Sequence, residues 1–410
     1  MLSCRLTNMP NKVKHWSMRY VIFSLLILVS LCATSQFRLS DRAEIAIVTL
    51  GPYQGEVWSA FGHNGFRVID PTYNIDWFYD YGLYDFDQEN FFLNFALGLL
   101  KYKVGAREWD RSFQYQKYLN RYIKVQYLNL TQSEKQALFN YLQNNVKPEN
   151  AEYLYNYVYD NCATKLRDVC EELYPGRITF DLSYKVEEKT IRDLMQDYLD
   201  YQPWGDLGID LGLGTQIDQE ATAKEYMFLP DYIHYAFENA TITRDGEEVP
   251  FVKRSELAYQ PREEEFKNRL LTPLNTFIIL FFVVGLITHR NLKFGKRTVW
   301  VDKVLFSLAG FVGWWVVFLW FGTEHLSKGN LNVLWAFPLH LPLVFFSAKE
   351  KYRQFFRYYF KFFAYWYSLL LVLWALLPQP LHPSLVPFVL ILVLRCFYLS
   401  YALRKMNSAS

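Results

Sequence analysis

The sequence predicts an α+β domain exported across a membrane, followed by an all-α membrane domain of five transmembrane helices. Three observations support this division. A basic N-terminal stretch precedes a short apolar run, which is typical of an export signal. Residues 36–268 mix strand-like and helix-like patterns and are polar enough to be soluble. From about residue 273 onward, apolar segments follow one another, and each is about long enough to cross a bilayer.

The N-terminal segment has the features of a Sec signal peptide. Residues 1–19 carry Arg and Lys but no acidic residue, and the apolar run YVIFSLLILVSLCA follows. This run is short for a span and leads to Ala33-Thr34-Ser35, so we expect cleavage after about Ser35. An uncleaved anchor is the alternative, whereas Leu31 disfavours a lipoprotein signal at Cys32. The predicted domains are the signal peptide at 1–35, the exported domain at 36–268 and the membrane domain at 269–410.

Short strands and helices alternate along the exported domain. Thr131 and Glu134 stand at the capping-box spacing before a helical pattern. The glycine-rich stretch 204–218 lacks a dinucleotide fingerprint and is predicted to be a loop, while Asp245-Gly246 favours a hairpin turn. Strands are predicted at 43–51, in the later part of 59–70, and at 75–82, 102–104 and 122–128, and helices at 86–100, 131–146 and 224–240.

The stretch 153–174, YLYNYVYDNCATKLRDVCEELY, changes from a strand pattern to a helix pattern in its middle. Its first tyrosines alternate with small or polar residues, and apolar residues then recur at three- and four-residue spacing. Asp160 and Asn161 are good N-cap residues, so Cys162 is expected at or near the first helical turn. A helix N-terminus stabilises an anion, including a thiolate. This is where cysteine hydrolases and acyltransferases carry their nucleophile.

A lone cysteine is more often a small buried hydrophobic residue, and this interpretation suits Cys170. On one helix, Cys162 and Cys170 would lie roughly 12 Å apart along the axis, which is too far for a disulfide. Cys162 is therefore predicted to be a free thiol. The five cysteines show no disulfide framework and no metal-ligand spacing, and a net charge of +2 does not suggest a nucleic-acid partner.

A thiolate needs a base, and His63 is the favoured histidine of the exported region. It follows Ala60-Phe61-Gly62 and stands directly before a predicted strand, at a glycine that lets the backbone pass close to another element. A surface or structural histidine is the alternative. His234, within a helical pattern, is better explained as structural.

The five apolar segments lie at roughly 273–289, 303–321, 331–348, 358–377 and 385–403. The links 289–297 and 349–357 and the end at Arg404-Lys405 are basic, whereas the links 322–330 and 378–384 are not. By the positive-inside rule, the basic links and the C-terminus are cytoplasmic. The exported domain then lies on the opposite face, in agreement with the signal peptide.

Polar and aromatic residues cluster at the external mouth of the second and third segments. Glu324, His325 and Asn332 are candidate substrate-binding residues, because polar groups at the membrane are functional candidates. They would shape the access of lipid or simply cap helices. The cluster also includes Asn330, Trp335 and His340.

Five blocks of the sequence carry a family likeness: SAFGHNGFRVIDP, WFYDYGLYDFD, NFALGLLKY, VYDNCATKLRD and YMFLPDY. They resemble the exported domain of Lnb-type lipoprotein N-acyltransferases, above all the forms common in Bacteroidota with a multi-span tail. The resemblance covers about residues 40–240 well and the membrane part more loosely. AFGH and DNCAT together make it specific. The order of His before Cys is also similar to the permuted papain-like fold of lecithin retinol acyltransferases.

The resemblance implies that Cys162 is the nucleophile and His63 its base, with Asp80, or Asp76 as the alternative, orienting the imidazole. The backbone N–H of Cys162 would stabilise the oxyanion. An acyl chain would pass from the diacylglyceryl group of a bacterial lipoprotein to its α-amino group, through a thioester and within reach of membrane phospholipid. The product is a lyso-form lipoprotein, and no soluble cofactor is required.

Two other functions compete with this one. An exported papain-like peptidase or amidase acting on peptidoglycan would use the same residues, but it has no need of five spans. A non-enzymatic assembly or transport factor would bury Cys162 as an inert residue, and Cys162→Ala would then preserve its function. The sequence favours a membrane-bound cysteine acyltransferase of the bacterial inner membrane.

Overall fold

The computed structural model describes residues 37–84, 87–263 and 270–405. The predicted signal peptide at 1–35, with Cys32 and the cleavage site, lies outside the described residues. The N-terminal domain is built on an antiparallel sheet with the strand order β10-β5-β1-β2-β3-β4-β6, and β7, β8 and β9 form a smaller sheet. The strands are β1 Glu44–Leu50, β2 His63–Asp70, β3 Ile75–Leu83, β4 Leu100–Glu108, β5 Ile123–Leu128, β6 Glu152–Tyr155, β7 Ile178–Thr179, β8 Thr241–Arg244, β9 Glu247–Pro250 and β10 Val252–Tyr259.

Helices cover both faces of the main sheet. The alternation in β1 shows why. Ile45 and Ile47 face the core beneath the helices at 132–145, 162–173 and 230–238. Ala46 and Val48 face a second apolar cluster, which contains Trp109 of the helix at 109–118. Each side of this strand is therefore buried. The helices are α1 Phe91–Leu97, α2 Trp109–Tyr118, α3 Gln132–Asn145, α4 Cys162–Leu173, α5 Ile191–Gln196, α6 Pro203–Gly212, α7 Ala223–Tyr226 and α8 Pro230–Glu238.

Most predicted elements are confirmed, and their boundaries follow local chemistry. The Thr131–Glu134 capping box begins α3, and Asp245-Gly246, both with positive φ, turn β8 into β9. The predicted helix at 224–240 is divided into α7 and α8. Leu229 precedes Pro230 and adopts an extended backbone, as expected before proline.

The prediction that 204–218 is a loop is wrong, because Pro203–Gly212 form α6. Side chains from far along the chain satisfy the carbonyls at the end of this helix. Ser327 Oγ donates to Gly212 O at 2.6 Å, and Asn332 Nδ2 donates to Asp210 O at 2.8 Å. Tertiary capping thus outweighs the low helix propensity of the glycines.

One edge of the main sheet faces the membrane domain, and this edge is formed by the ends of the strands rather than by an outer strand. Tyr259 pairs with Ile123, Ile123 pairs with Leu50, and Leu50 pairs with His63, so these residues form one row at that edge. The loop after β1 contacts the start of α6, where Gln202 Nε2 donates to Gln54 O. Trp204 of α6 in turn donates to Leu271 O, two residues before the membrane helix that begins at Pro273. The edge that carries His63 is therefore connected to the start of the membrane domain.

The C-terminal domain is helical, and four of its described helices are long and apolar enough to span a membrane. The predicted third span, 331–348, is not a continuous helix, so the described residues contain four of the five predicted spanning helices and the count of five stays a prediction. Pro338 and Pro342 account for the break, because proline removes a helical hydrogen bond. The helices are α9 Pro273–Phe294, α10 Val299–Gly322, α11 His340–Val344, α12 Arg353–Leu373 and α13 Leu385–Lys405.

The broken segment runs antiparallel along α10. Near one end of α10, Arg297 donates two hydrogen bonds to Ser347, while Asn330 follows closely after the other end of α10. Between these points, Gly310 and Gly313 let α10 approach the segment, since a Cβ on Gly313 would lie 1.9 Å from Ala336 O. The segment therefore spans the length of α10 in short helical pieces.

Candidate active site

Cys162 begins α4, and Asn161 caps that helix. The Asn161 side chain accepts hydrogen bonds from the N–H groups of Ala163 and Thr164 at 2.8 and 3.0 Å. Its amide donates to Tyr157 O and Phe228 O, at 2.9 and 2.8 Å. The cap is thus anchored on two sides, and it holds Cys162 at the first helical position, where a backbone N–H has no partner within the helix.

The predicted strand before Cys162 is shorter than its tyrosine pattern suggests. β6 ends at Tyr155, because the Asn156 side chain accepts hydrogen bonds from the N–H groups of Val158 and Tyr159, both at 2.9 Å. Such an Asx turn competes with strand pairing. It turns the chain from the sheet edge into α4.

His63 begins β2 immediately after Gly62, a position that only glycine can occupy without strain. Gly62 has φ +87°, and a Cβ there would lie 2.8 Å from Leu50 O. The glycine predicted to allow a close backbone approach does so. It brings His63 to the row of residues at the membrane-facing edge.

The imidazole of His63 lies between a carboxylate and a thiol. His63 Nε2 is 2.8 Å from Asp80 Oδ1, which leaves Nδ1 as the nitrogen that can meet the sulfur of Cys162. The ring hydrogen-bonds to that sulfur, and the backbone N–H of Asn64 also donates to it. Cysteine, histidine and aspartate are therefore connected in one line.

Asp80 is itself held in place by two further donors. The Gly82 N–H donates to Oδ1 at 2.8 Å, and Arg107 Nη2 donates to Oδ2 at 2.9 Å. Asp76, the alternative orienting residue, lies farther along β3 and accepts two hydrogen bonds from Arg67 at 2.7 and 2.8 Å. Asp80 is the carboxylate that contacts His63.

The charges of the three groups reinforce one another. Burial alone would raise the pKa of the Cys162 thiol, but the His63 charge and the hydrogen bonds from His63 and Asn64 outweigh it and lower the pKa. Burial would lower the pKa of His63, yet the charges and hydrogen bonds of Cys162 and Asp80 raise it to about 10. Against the effect of burial, the His63 charge and hydrogen bond lower the pKa of Asp80 to about 2. The site favours a thiolate–imidazolium pair backed by a carboxylate.

Cys170 on the same helix provides an internal comparison. It is fully buried and free, as predicted, and burial raises its pKa. Cys162 is only 8 % exposed, yet its pKa moves in the opposite direction. The histidine, rather than the helix alone, distinguishes the two thiols.

The three predicted substrate-binding residues have different surroundings. The Glu324 N–H donates to Leu97 O at 2.9 Å and His325 Nε2 lies 3.1 Å from Phe95 O, so both contact α1. Asn332 is buried, and its side chain bonds to Asp210 O, Asn330 and Trp335. Its amide caps α6 from the membrane domain, which is the alternative that the sequence left open.

Sequence reasoning missed the residues that support the three main ones. Nothing in the sequence distinguishes Arg107 from any other cation on a strand. Asn64 acts through its backbone N–H, so the identity of its side chain does not reveal the role. Arg121 is also buried near the site: its Nε donates to Gly51 O at 2.5 Å, beside the Leu50–His63 pair. Burial lowers the pKa of Arg121 to about 10, and the charge of Cys162 opposes that shift.

One cluster, Asp206, Asp210 and His382, has the composition of a metal site. Its hydrogen bonds do not favour one. His382 Nδ1 accepts from the Ser384 N–H at 3.1 Å, so Nε2 carries the proton and donates to Asp206 at 3.1 Å. A metal would need that nitrogen unprotonated, and Arg192 already binds Asp210 at 2.6 Å.

A groove of about 860 Å³ lies between α3 and the turn that joins β2 to β3. Its walls include Trp77, Tyr73 and Phe139. It is at the opposite end of β2 from His63. The groove is therefore separate from the cysteine site.

A thiol, an imidazole and a carboxylate in line, on a domain joined to membrane helices, define a membrane-anchored protein with a cysteine–histidine site. Residues 34–197 match the family model of the Lnb N-terminal periplasmic domain, and residues 264–406 match that of the Lnb transmembrane domain. The chain belongs to the Lnb-type family. It is an inner-membrane protein with a periplasmic N-terminal domain, and its membership indicates a lipoprotein-modifying enzyme. No curated protein and no solved structure matches it significantly.

Proposed function

We propose that this protein is a lipoprotein N-acyltransferase. It moves an acyl chain from the diacylglyceryl group to the α-amino group of a lipoprotein's N-terminal cysteine, through a thioester on Cys162, and leaves a lyso-form lipoprotein. The observation that carries the proposal is the position of His63, 2.8 Å from Asp80 and hydrogen-bonded to Cys162, at the edge of the sheet that faces the membrane.

The first half of the reaction forms the thioester. The Cys162 thiolate attacks the ester carbonyl carbon, and the tetrahedral oxyanion is stabilised by the backbone N–H at the start of α4. When the ester C–O bond breaks, the protonated His63 gives its proton to the departing glycerol oxygen. Asp80 keeps the imidazolium oriented during this step.

The second half transfers the acyl chain to nitrogen. The α-amino group attacks the thioester, the C–S bond breaks and the Cys162 thiolate is regenerated. His63 takes the proton that the amine loses, so the enzyme returns to its starting state. Both lipid groups stay at the bilayer surface, which suits a catalytic domain attached to membrane helices.

The contacts between the two domains support the proposed topology. The links 322–330 and 378–384 both touch the periplasmic domain, for example where Gln379 Nε2 donates to Leu213 O at 2.9 Å. The other links are basic, so we place them and the C-terminus in the cytoplasm. Glu324 and His325 would then border the route of the lipid, and Asn332 would hold the domains together.

The test is expression in a strain whose own lipoprotein N-acylation can be shut off. Mass spectrometry of one lipoprotein's N-terminal peptide should find the N-acylated lyso form with wild type. Cys162→Ala and His63→Ala should give the diacyl form with a free amine, whereas Cys170→Ala should behave as wild type. A free amine with exported wild-type protein would contradict the proposal, and release of new amines from wall peptides would then favour a peptidase.

A further inference from the structure

Helix α1 presents large apolar side chains to its surroundings. Phe92 is 85 % exposed, Leu93 57 % and Phe95 55 %. Three such residues on a seven-residue helix are unusual for a surface that faces water. They need an apolar environment.

The position of α1 indicates what that environment is. Glu324 N–H and His325 Nε2 bind the carbonyls of Leu97 and Phe95, and Glu324 lies two residues after the end of α10. Gly98 makes this contact close, because a Cβ there would lie 2.9 Å from His325 N. α1 is therefore fixed at the external end of a membrane helix, where lipid meets water.

A further apolar side chain, that of Trp58, is exposed near the start of the membrane domain. Trp58 is 64 % exposed, and its neighbour Val57 packs on Gly205 of α6, where a Cβ would lie 2.8 Å from Val57. Next to Gly205, Trp204 Nε1 donates to Leu271 O at 2.8 Å, and its ring packs edge-on against Phe277 of α9. The helical turn Val57–Ser59, here called the Trp58 turn, is thus anchored where the chain enters the membrane.

The two apolar features flank the hairpin of β2 and β3. The Trp58 turn leads into β2 at His63, and the segment that contains α1 follows β3, which carries Asp80. We propose that α1 and Trp58 lie in the outer leaflet of the membrane and guide the acyl chain of the lipid donor to Cys162. The inference rests on the proposed function for its substrate, while the insertion of α1 into lipid can be tested without it.

The insertion test is fluorescence quenching of the full-length protein in vesicles that contain lipids with brominated acyl chains. Phe92→Cys is labelled with a fluorophore in a Cys162→Ala background. Tyr73→Cys is the matched control, because Tyr73 is 52 % exposed at the far end of the β2–β3 hairpin. We expect quenching at position 92 and none at 73. No quenching at 92 would overturn the inference, and would point to water or a protein partner at α1.

The functional test separates lipid access from chemistry. Because Phe92 is exposed, Phe92→Asp should fold, but it should slow acyl transfer by about tenfold or more, the factor expected when one phenyl ring leaves lipid. Alkylation of Cys162 by iodoacetamide, which arrives from water, should be unchanged. Transfer at the wild-type rate in Phe92→Asp would overturn the inference. Quenching at 92 without transfer in wild type would instead refute the proposed function alone.

Discussion

The three polar side chains of the site divide the work by charge. In the proposed reaction Cys162 would be the nucleophile, His63 would transfer the proton, and Asp80 would stabilise the charged ring. Two neutral backbone donors, at Asn64 and Gly82, hold the sulfur and the carboxylate. Each role depends on distances that a single substitution can change.

At this scale, Asp80→Asn should change the pH dependence of transfer. The charge of Asp80 helps to raise the pKa of His63 to about 10, above its ordinary value of 6.5. The imidazolium that protonates the leaving group therefore persists until pH rises through that value. Without the Asp80 carboxylate the pKa of His63 falls. The alkaline limb of the pH–rate profile, where transfer is lost, should therefore move to lower pH. A limb at the wild-type position, in rates measured across the alkaline range, would contradict this role.

Gly82→Ala should displace the imidazole without straining the backbone. A Cβ at Gly82 would lie 2.5 Å from His63 Cε1, and the φ of Gly82 is not positive. We expect transfer to fall about 10²-fold, the usual cost of moving a reacting group by about 1 Å. The thermal midpoint of unfolding should change little. Gly208→Ala is the control, since no neighbour among the described residues lies within 4 Å of its Cβ, and equal losses in both variants would refute the explanation.

The choice between Asp76 and Asp80 shows what a single sequence cannot decide. The two residues are four apart on β3, so they share one face of the strand. Only the pairing of Gly65 with Asp80 brings Asp80 beside His63, and this pairing depends on the whole hairpin. The sequence could therefore predict a carboxylate partner, but the strand register selected it.

At the scale of elements, the start of α4 was predictable because its signals are local. Asn161 and Thr164 form a capping box within four residues, and Cys162 lies between them. In contrast, α6 was missed, because the groups that cap it come from residues more than a hundred positions later. The sequence does indicate the break in the third span, through Pro338 and Pro342. The apolar composition of the segment favoured a continuous span instead.

The cap makes a direct prediction about stability. Asn161→Ala removes the acceptor of two backbone N–H groups. It also removes the side-chain amide that donates to two backbone carbonyls. We expect the free energy of unfolding to fall by about 1 kcal/mol or more, seen as a lower thermal midpoint. Cys162 should also react more slowly with iodoacetamide at neutral pH. An unchanged midpoint would show that the cap does not hold α4.

At the scale of the molecule, one domain positions the other. The periplasmic domain carries the candidate active site, and residues of the membrane domain at 323–332 cap α6 and bind α1. These contacts fix the periplasmic domain against the membrane helices. A catalytic domain on a flexible tether would lack these contacts.

The broken segment should depend on close packing against α10. An alanine in place of glycine usually stabilises a helix by about 1 kcal/mol. Gly313→Ala should do the opposite, because its Cβ would lie 1.9 Å from Ala336 O. We expect a lower thermal midpoint in detergent for this variant. Gly285→Ala, whose Cβ would meet none of the residues that the structure describes within 4 Å, should not lower it, and a stable Gly313→Ala protein would contradict the packing.

The central claim is that Cys162 carries the acyl chain. The most direct measurement is the intact mass of the purified protein after brief incubation with a diacylated lipopeptide whose amine is blocked. Wild type should gain the mass of one acyl chain, released by hydroxylamine and mapped to Cys162, and Cys162→Ala should gain none. An acyl adduct that persists in Cys162→Ala, or transfer to an unblocked amine without any adduct on Cys162, would contradict the account.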